Sequence, residues 1–110
     1  MNKLLIISFV LILSNNFPLL AQSSGQICSI PPRGICVSPV NSQSIAFVQD
    51  ICNYGKYVLS TGTCSNLEPI GSCQISKNGI VYKVHYLPFL WDIEKAKQNC
   101  TQVYGAYTSK

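Results

Sequence analysis

The chain has 110 residues, with eight Lys or Arg against four Asp or Glu and a formal net charge of +4. This length allows one small domain. The basic residues are spread along the chain and not clustered, which argues against nucleic-acid binding.

The N-terminal segment, residues 1–21, has the layout of a secretory signal peptide. Lys3 is its only charge, an apolar run follows, and Ala21 precedes the predicted cut, with cuts after Ser23 or Gly25 as alternatives. Two asparagines and a proline interrupt the apolar run well before the roughly 20 residues that a membrane span needs. We therefore predict a cleaved signal, no later transmembrane span, and a secreted, periplasmic or cell-surface protein.

Residues 22–110 form the predicted mature domain and keep all six cysteines. Successive cysteines are separated by 7, 15, 11, 8 and 26 residues. No C-x₂-C pair occurs and the chain has one histidine, so neither a zinc site nor a dithiol redox motif is indicated. Three disulfides are predicted, because an exported domain of this size has a small core and relies on covalent links.

The first half of the domain is predicted to contain strands followed by a helix. Residues 28–40 indicate two edge strands around a proline-rich turn, since prolines are confined to sheet edges and turns. The next segment has candidate N-caps at Asn41, Ser42 and Ser44, an apolar helical stripe that ends at Cys52, and Gly55 as its stop signal. An alternating segment, KYVLSTGTC, then predicts another strand.

Asn78-Gly79 predicts a β-hairpin over residues 71–86, because both central residues of a type I′ turn need positive φ. Placing that pair at the tip matches Cys73 with Val84. One face then carries the apolar set, which comprises Cys73, Ile75, Tyr82, Val84 and Tyr86, and the other face is mostly polar.

The last predicted helix begins at the N-cap Asp92 and is expected to cover the hairpin. Its apolar stripe consists of Ile93, Ala96, Cys100 and Val103. The cysteines of the hairpin and of the helix lie on the two surfaces that must meet. We therefore predict a Cys73–Cys100 disulfide, worth about 3 to 4 kcal/mol in the chain-entropy model.

A loose internal repeat relates residues 28–64 to residues 71–107. Each part has a G-x-C strand, a helix that ends in cysteine, and a following G-x-Tyr. Aligning these features favours Cys36–Cys52 and Cys28–Cys64. A sequential scheme, Cys28–Cys36 and Cys52–Cys64, stays open, because spacing alone does not determine connectivity.

These motifs, with GKYVLSTGTC, GSC and the final GAY, resemble a loose group of small exported cysteine-rich bacterial proteins over roughly residues 28–107. That group has no assigned function, so the resemblance implies export and disulfides but no catalytic or binding residues. The predicted fold class is a small disulfide-stapled α+β domain of short antiparallel strands and two helices, and the loose repeat suggests two related halves.

The candidate contact patch lies in YLPFLWD and comprises Leu87, Phe89, Leu90 and Trp91. If exposed, these side chains would anchor a protein, glycan or lipid partner. The alternative, favoured by the shortage of large side chains, is that Phe89 and Trp91 belong to the core.

No catalytic, cofactor or metal site is predicted. His85 lacks a nucleophile signature, and the Asp and Glu residues fit helix capping better than a glycosidase pair. Asn99-Cys100-Thr101 fits a glycosylation pattern, but we interpret it as a chance match. The leading function is therefore a non-enzymatic secreted binding module. The alternative is a secreted effector or inhibitor of a host or competitor protein that presents the turn around Arg33.

Overall fold

The computed structural model describes residues 25–110. The predicted signal peptide, residues 1–21, lies outside these described residues. Within residues 25–110, no helix is long and apolar enough to span a membrane.

The described residues form a small α+β domain with three disulfides, as predicted. One antiparallel sheet has the strand order β3-β1-β2-β5-β4-β6, and two α-helices pack against it. The strands are β1 Gln26–Ile30, β2 Ile35–Pro39, β3 Val58–Thr61, β4 Gly71–Lys77, β5 Ile80–Tyr86 and β6 Ala106–Ser109. The helices are α1 Ser42–Gly55 and α2 Ile93–Gln102, and short 3-10 turns cover Pro31–Arg33 and Cys64–Leu67.

The hairpin between β4 and β5 has the predicted register. Cys73 pairs with Val84 and Gly71 pairs with Tyr86. At the tip, Asn78 has φ 53° and Gly79 has φ 84°, the left-handed values that a type I′ turn requires. The two-residue tip sets the register and thereby selects which side chains face the helices.

Both helices begin at predicted caps. Asn41 accepts a hydrogen bond from the Ser44 amide in a capping box, and Asp92 accepts one from the Lys95 amide. The predicted stop at Gly55 is displaced by one residue, since the left-handed C-cap residue is Lys56 with φ 58°.

The predicted stripe of α2 is half correct. Ala96 and Cys100 are buried, whereas Ile93 and Val103 are largely exposed. The short helix contacts the sheet mainly through one turn, which leaves its two ends in solvent.

Two predictions about strands were wrong or incomplete. The strands β1 and β2 are interior strands, because β3 pairs with β1 and β5 pairs with β2. The sheet edges are β3 and the unpredicted β6, which pairs with β4 near the C-terminus.

The Cys73–Cys100 disulfide is confirmed, but the other two pairings differ from both predicted schemes. Cys28 bonds to Cys52 and Cys36 bonds to Cys64. In the β1–β2 hairpin, Cys28 pairs with Val37 while Cys36 pairs with Ser29, so the two cysteines point to opposite faces. Only Cys28 can therefore reach the helix, and Cys36 meets the 3-10 turn on the other face.

The correct internal repeat is a β-β-α-β unit used twice. The first unit is β1-β2-α1-β3, and the second is β4-β5-α2-β6. In each unit the third strand pairs with the first, and a disulfide joins the first strand to the helix. The units meet through β2 and β5, with Val37 opposite Val84 at the centre, as expected for an approximate two-fold axis at that pair.

Candidate functional site

The connection between β5 and α2 is held against the turn between β1 and β2. The Leu87 amide donates to the Gly34 carbonyl at 2.9 Å, and the Trp91 indole Nε1 donates to the Arg33 carbonyl at 2.8 Å. Gly34 has φ +62°, and a Cβ there would lie 2.8 Å from the Leu90 Cβ. The two segments that were considered as separate candidates therefore form one surface.

The four predicted contact residues differ in exposure. Leu87 is buried, with only 8 % of its surface exposed. Trp91 is half-buried, and its ring lies 4.8 Å from the Tyr86 ring. Phe89 is 65 % exposed and Leu90 is 47 % exposed. The expectation that Phe89 belongs to the core is wrong.

Arg33 is exposed at the end of the Pro31–Arg33 turn. Trp91 is its neighbour in space, because the Trp91 indole donates a hydrogen bond to the Arg33 carbonyl. We call the set Arg33, Phe89, Leu90 and Trp91 the corner surface. Aromatic residues and arginine are the types that dominate binding energy at protein interfaces.

The disulfides tether this turn only indirectly. Cys28 and Cys36 flank it in sequence but bond to Cys52 and Cys64, not to each other. The turn is held by strand pairing and by the hydrogen bonds from the β5–α2 connection.

A mainly apolar cavity of about 420 Å³ opens on the helix face of the sheet. Side chains of both helices and of the four interior strands line this cavity. We call it the inter-helix groove. It is lined by Ile30, Arg33, Ile35, Val37, Phe47, Ile51, Tyr57, Ile75, Tyr82, Val84, Trp91, Asn99 and Val103. Its volume lies within the range of small-molecule sites, roughly 300–1,000 Å³.

Asn99 has a structural role beside this groove. Its Oδ1 accepts a hydrogen bond of 2.8 Å from the Tyr86 hydroxyl. Burial, and secondarily Tyr107, raise the pKa of Tyr86 to about 12, so Tyr86 stays protonated and able to donate at neutral pH.

His85 lies on the opposite face of the sheet. Its Nε2 is 2.9 Å from the Ser38 Oγ, and burial, with a smaller effect of Lys83, lowers its pKa to about 4. Both side chains line a shallow cavity of about 380 Å³ beside the Cys64 turn. No Asp or Glu lines this cavity, so the histidine lacks the carboxylate that orients the base of a Ser-His-Asp triad.

Among residues 25–110, no group of three His, Cys, Asp or Glu side chains is placed to hold a metal ion. Asp92 serves as the α2 cap, as the sequence indicated. The groove and its link to Arg33 were missed by sequence reasoning. The available signal was the alternation of Ile30, Ile35 and Val37 around the turn, which places them on one face with Val84.

Comparisons with known proteins found no matching family model, no matching curated protein and no matching solved structure. The resemblance to exported cysteine-rich bacterial proteins therefore stays a prediction.

Proposed function

We propose that this protein is an exported, non-enzymatic interaction module that contacts its partner through the corner surface. The carrying observation is the 65 % exposure of Phe89 on a connection that is hydrogen-bonded at both ends to the β1–β2 turn. Because the backbone around Phe89 is already held, a partner that binds the exposed ring would cause little further loss of conformational entropy. The three disulfides are consistent with an oxidising location outside the cytoplasm.

The test is a comparison of two exposed aromatic residues. Oxidised wild-type protein, the Phe89→Ser variant and the Tyr54→Ser variant are immobilised and exposed to material from the organism's own extracellular environment. Tyr54 is 93 % exposed on α1 and is not part of the corner surface. We expect Phe89→Ser to lose a partner that wild type and Tyr54→Ser retain, by roughly tenfold or more if Phe89 is a hot spot.

Equal retention by all three proteins would contradict the assignment of the corner surface. Circular dichroism and free-thiol titration of each variant serve as controls, since they separate lost binding from lost folding. The retained partner should be verified by direct binding of the purified components.

A secreted effector or inhibitor is the second candidate, and the exposure of all three residues Pro31–Arg33 favours it. An inhibitor would insert Arg33 into a partner's cleft. In that case Arg33→Ala would abolish binding while Phe89→Ser would change it little. If the protein is instead an interaction module, Phe89→Ser should cause the larger loss of partner binding.

A further inference from the structure

The inter-helix groove has a chemistry that the corner surface does not use. Its lining includes Arg33 and Trp91 but neither Phe89 nor Leu90. Aliphatic and aromatic side chains make up most of the lining, and Arg33 is its only charged residue. A ligand there would meet hydrocarbon over most of its length and one cation.

Most backbone groups in the floor of the groove are already used in strand pairing. The four strands that contribute to it, β1, β2, β4 and β5, each have a neighbouring strand on both sides, and only their ends at Ile30 and Ile75 extend beyond the pairing with β3 and β6. A bound peptide would have to bury amide groups against hydrocarbon without partners, which is costly. An alkyl chain carries no such groups and gains free energy with each methylene that it buries.

The charge of the groove selects the head group. No Asp or Glu lines the groove, so nothing in the lining offsets the Arg33 guanidinium. A guanidinium is well suited to pair with a carboxylate in two parallel hydrogen bonds. The Pro31–Arg33 turn is exposed, so a head group at Arg33 would remain in contact with water while the chain enters the groove.

We propose that the inter-helix groove binds a free long-chain carboxylate, with the alkyl chain between the helices and the head group at Arg33. This site goes beyond the proposed protein contact and does not depend on it.

Trp91 provides the readout, because it is the only tryptophan of the chain and it lines the groove. The oxidised protein is titrated at pH 7.5 with octanoate, decanoate and dodecanoate below their micelle concentrations, and Trp91 fluorescence is recorded. We expect a saturable change whose affinity rises by up to about fourfold per added methylene. Dodecyltrimethylammonium, with the same chain and the opposite charge, should bind more weakly.

Two variants test the two parts of the site. Arg33→Gln should remove the preference for the carboxylate, a loss of about two- to fivefold for an exposed ion pair. Val103→Asp places a negative charge on the groove wall and should weaken dodecanoate binding more strongly. Val58→Asp is the matched control, since Val58 is an exposed valine on β3 that does not line the groove.

Several outcomes would overturn the proposal. They are no saturable response to dodecanoate, equal affinity for the cationic amphiphile, equal weakening by Val103→Asp and Val58→Asp, or binding to anionic phospholipid vesicles without binding of the monomeric carboxylate. Phe89→Ser distinguishes the two proposals, because it should leave dodecanoate binding unchanged even where it abolishes the partner contact.

Discussion

The two halves of the molecule, β1-β2-α1-β3 and β4-β5-α2-β6, share a plan but differ in one connection. In the first half Val40 and Asn41 alone join β2 to α1, whereas residues 87–92 join β5 to α2. The longer connection carries Phe89, Leu90 and Trp91. The repeated elements therefore build the scaffold, and the candidate binding surface arises where the second half departs from the first.

The two helices differ in the same sense. With Cys52 equivalent to Cys100, Lys95 stands at the position of Phe47 and Asn99 at that of Ile51. Phe47 of α1 contacts the other half, since its ring lies 4.8 Å from the Tyr82 ring of β5. The smaller apolar face of α2 leaves the central strands partly uncovered, which accounts for the inter-helix groove.

The largest expected effect comes from removing the two equivalent disulfides. Replacing both cysteines of Cys28–Cys52 or of Cys73–Cys100 by alanine should lower the free energy of unfolding by about 3 to 4 kcal/mol in either case. The sequence separations, 24 and 27, are nearly equal. Urea unfolding measures both, and a difference above about 2 kcal/mol would show that the halves are not equivalent in stability.

The next effect tests the close packing around the disulfide of the second half. A Cβ on Gly105 would lie 3.0 Å from the Gln74 carbonyl oxygen and 3.1 Å from the Cys100 Sγ, and closer still to the Cys73 Sγ. Gly105→Ala should therefore cost about 1 to 3 kcal/mol. Ala106→Ser, at an exposed neighbour, is the control, and an unchanged urea midpoint for Gly105→Ala would contradict the packing.

The helix caps of the two halves also differ, and removing them should have a smaller effect on stability. Asn41 caps α1 and also links the halves, because its Nδ2 donates to the Gly79 carbonyl at 2.8 Å and its Oδ1 accepts from the Val81 amide at 3.3 Å. Asp92 has only the capping bond to Lys95. We expect a loss of about 2 kcal/mol for Asn41→Ala and about 1 kcal/mol for Asp92→Ala. Equal thermal shifts would mean that the contact between the halves adds nothing.

The smallest effect is a pH dependence from His85. Its pKa is about 4 in the fold, below the ordinary value of 6.5, so the unfolded chain binds the proton more readily between these values. The contribution of His85 is present above pH 6.5 and is lost as the pH falls towards 4. After allowance for solvent screening, the loss is about 1 kcal/mol.

Urea midpoints between pH 7 and pH 4 measure this loss. The His85→Gln variant should show a flatter profile, since glutamine does not titrate. Parallel profiles for the two proteins would assign the pH dependence to other groups.

Local signals predicted the second half well. Asn78-Gly79 determined the hairpin register, and that register placed Cys73 on the face that α2 covers. Asp92 was identifiable as a cap because its residue type and its position before the helix agree. In each case a few neighbouring residues contain the whole physical cause.

The first half was harder because its pairing depends on which face each cysteine occupies. Aligning on G-x-C made Cys36 the partner of Cys52, but the 3-10 turn at Pro31–Arg33 sets a register in which Cys28 faces the helix. That turn has no signal as specific as Asn-Gly. In the second half, the strand β6 was missed because its four residues form a strand only by pairing with β4.

The exposure of Phe89 could not be predicted from composition. Burial of bulk in a small domain is the ordinary expectation, but the carbonyls of Arg33 and Gly34 hold the connection by its Trp91 indole and Leu87 amide. These two anchors point Leu87 inward and leave Phe89 in solvent. Such an arrangement depends on contacts between segments that are far apart in sequence.

One β-β-α-β unit is used twice in this protein, with an equivalent strand-to-helix disulfide in each half. Peptide mapping of the native protein under non-reducing conditions tests it most directly. We expect fragments that join Cys28 to Cys52, Cys36 to Cys64 and Cys73 to Cys100. A fragment that joins Cys36 to Cys52, or Cys28 to Cys36, would contradict it.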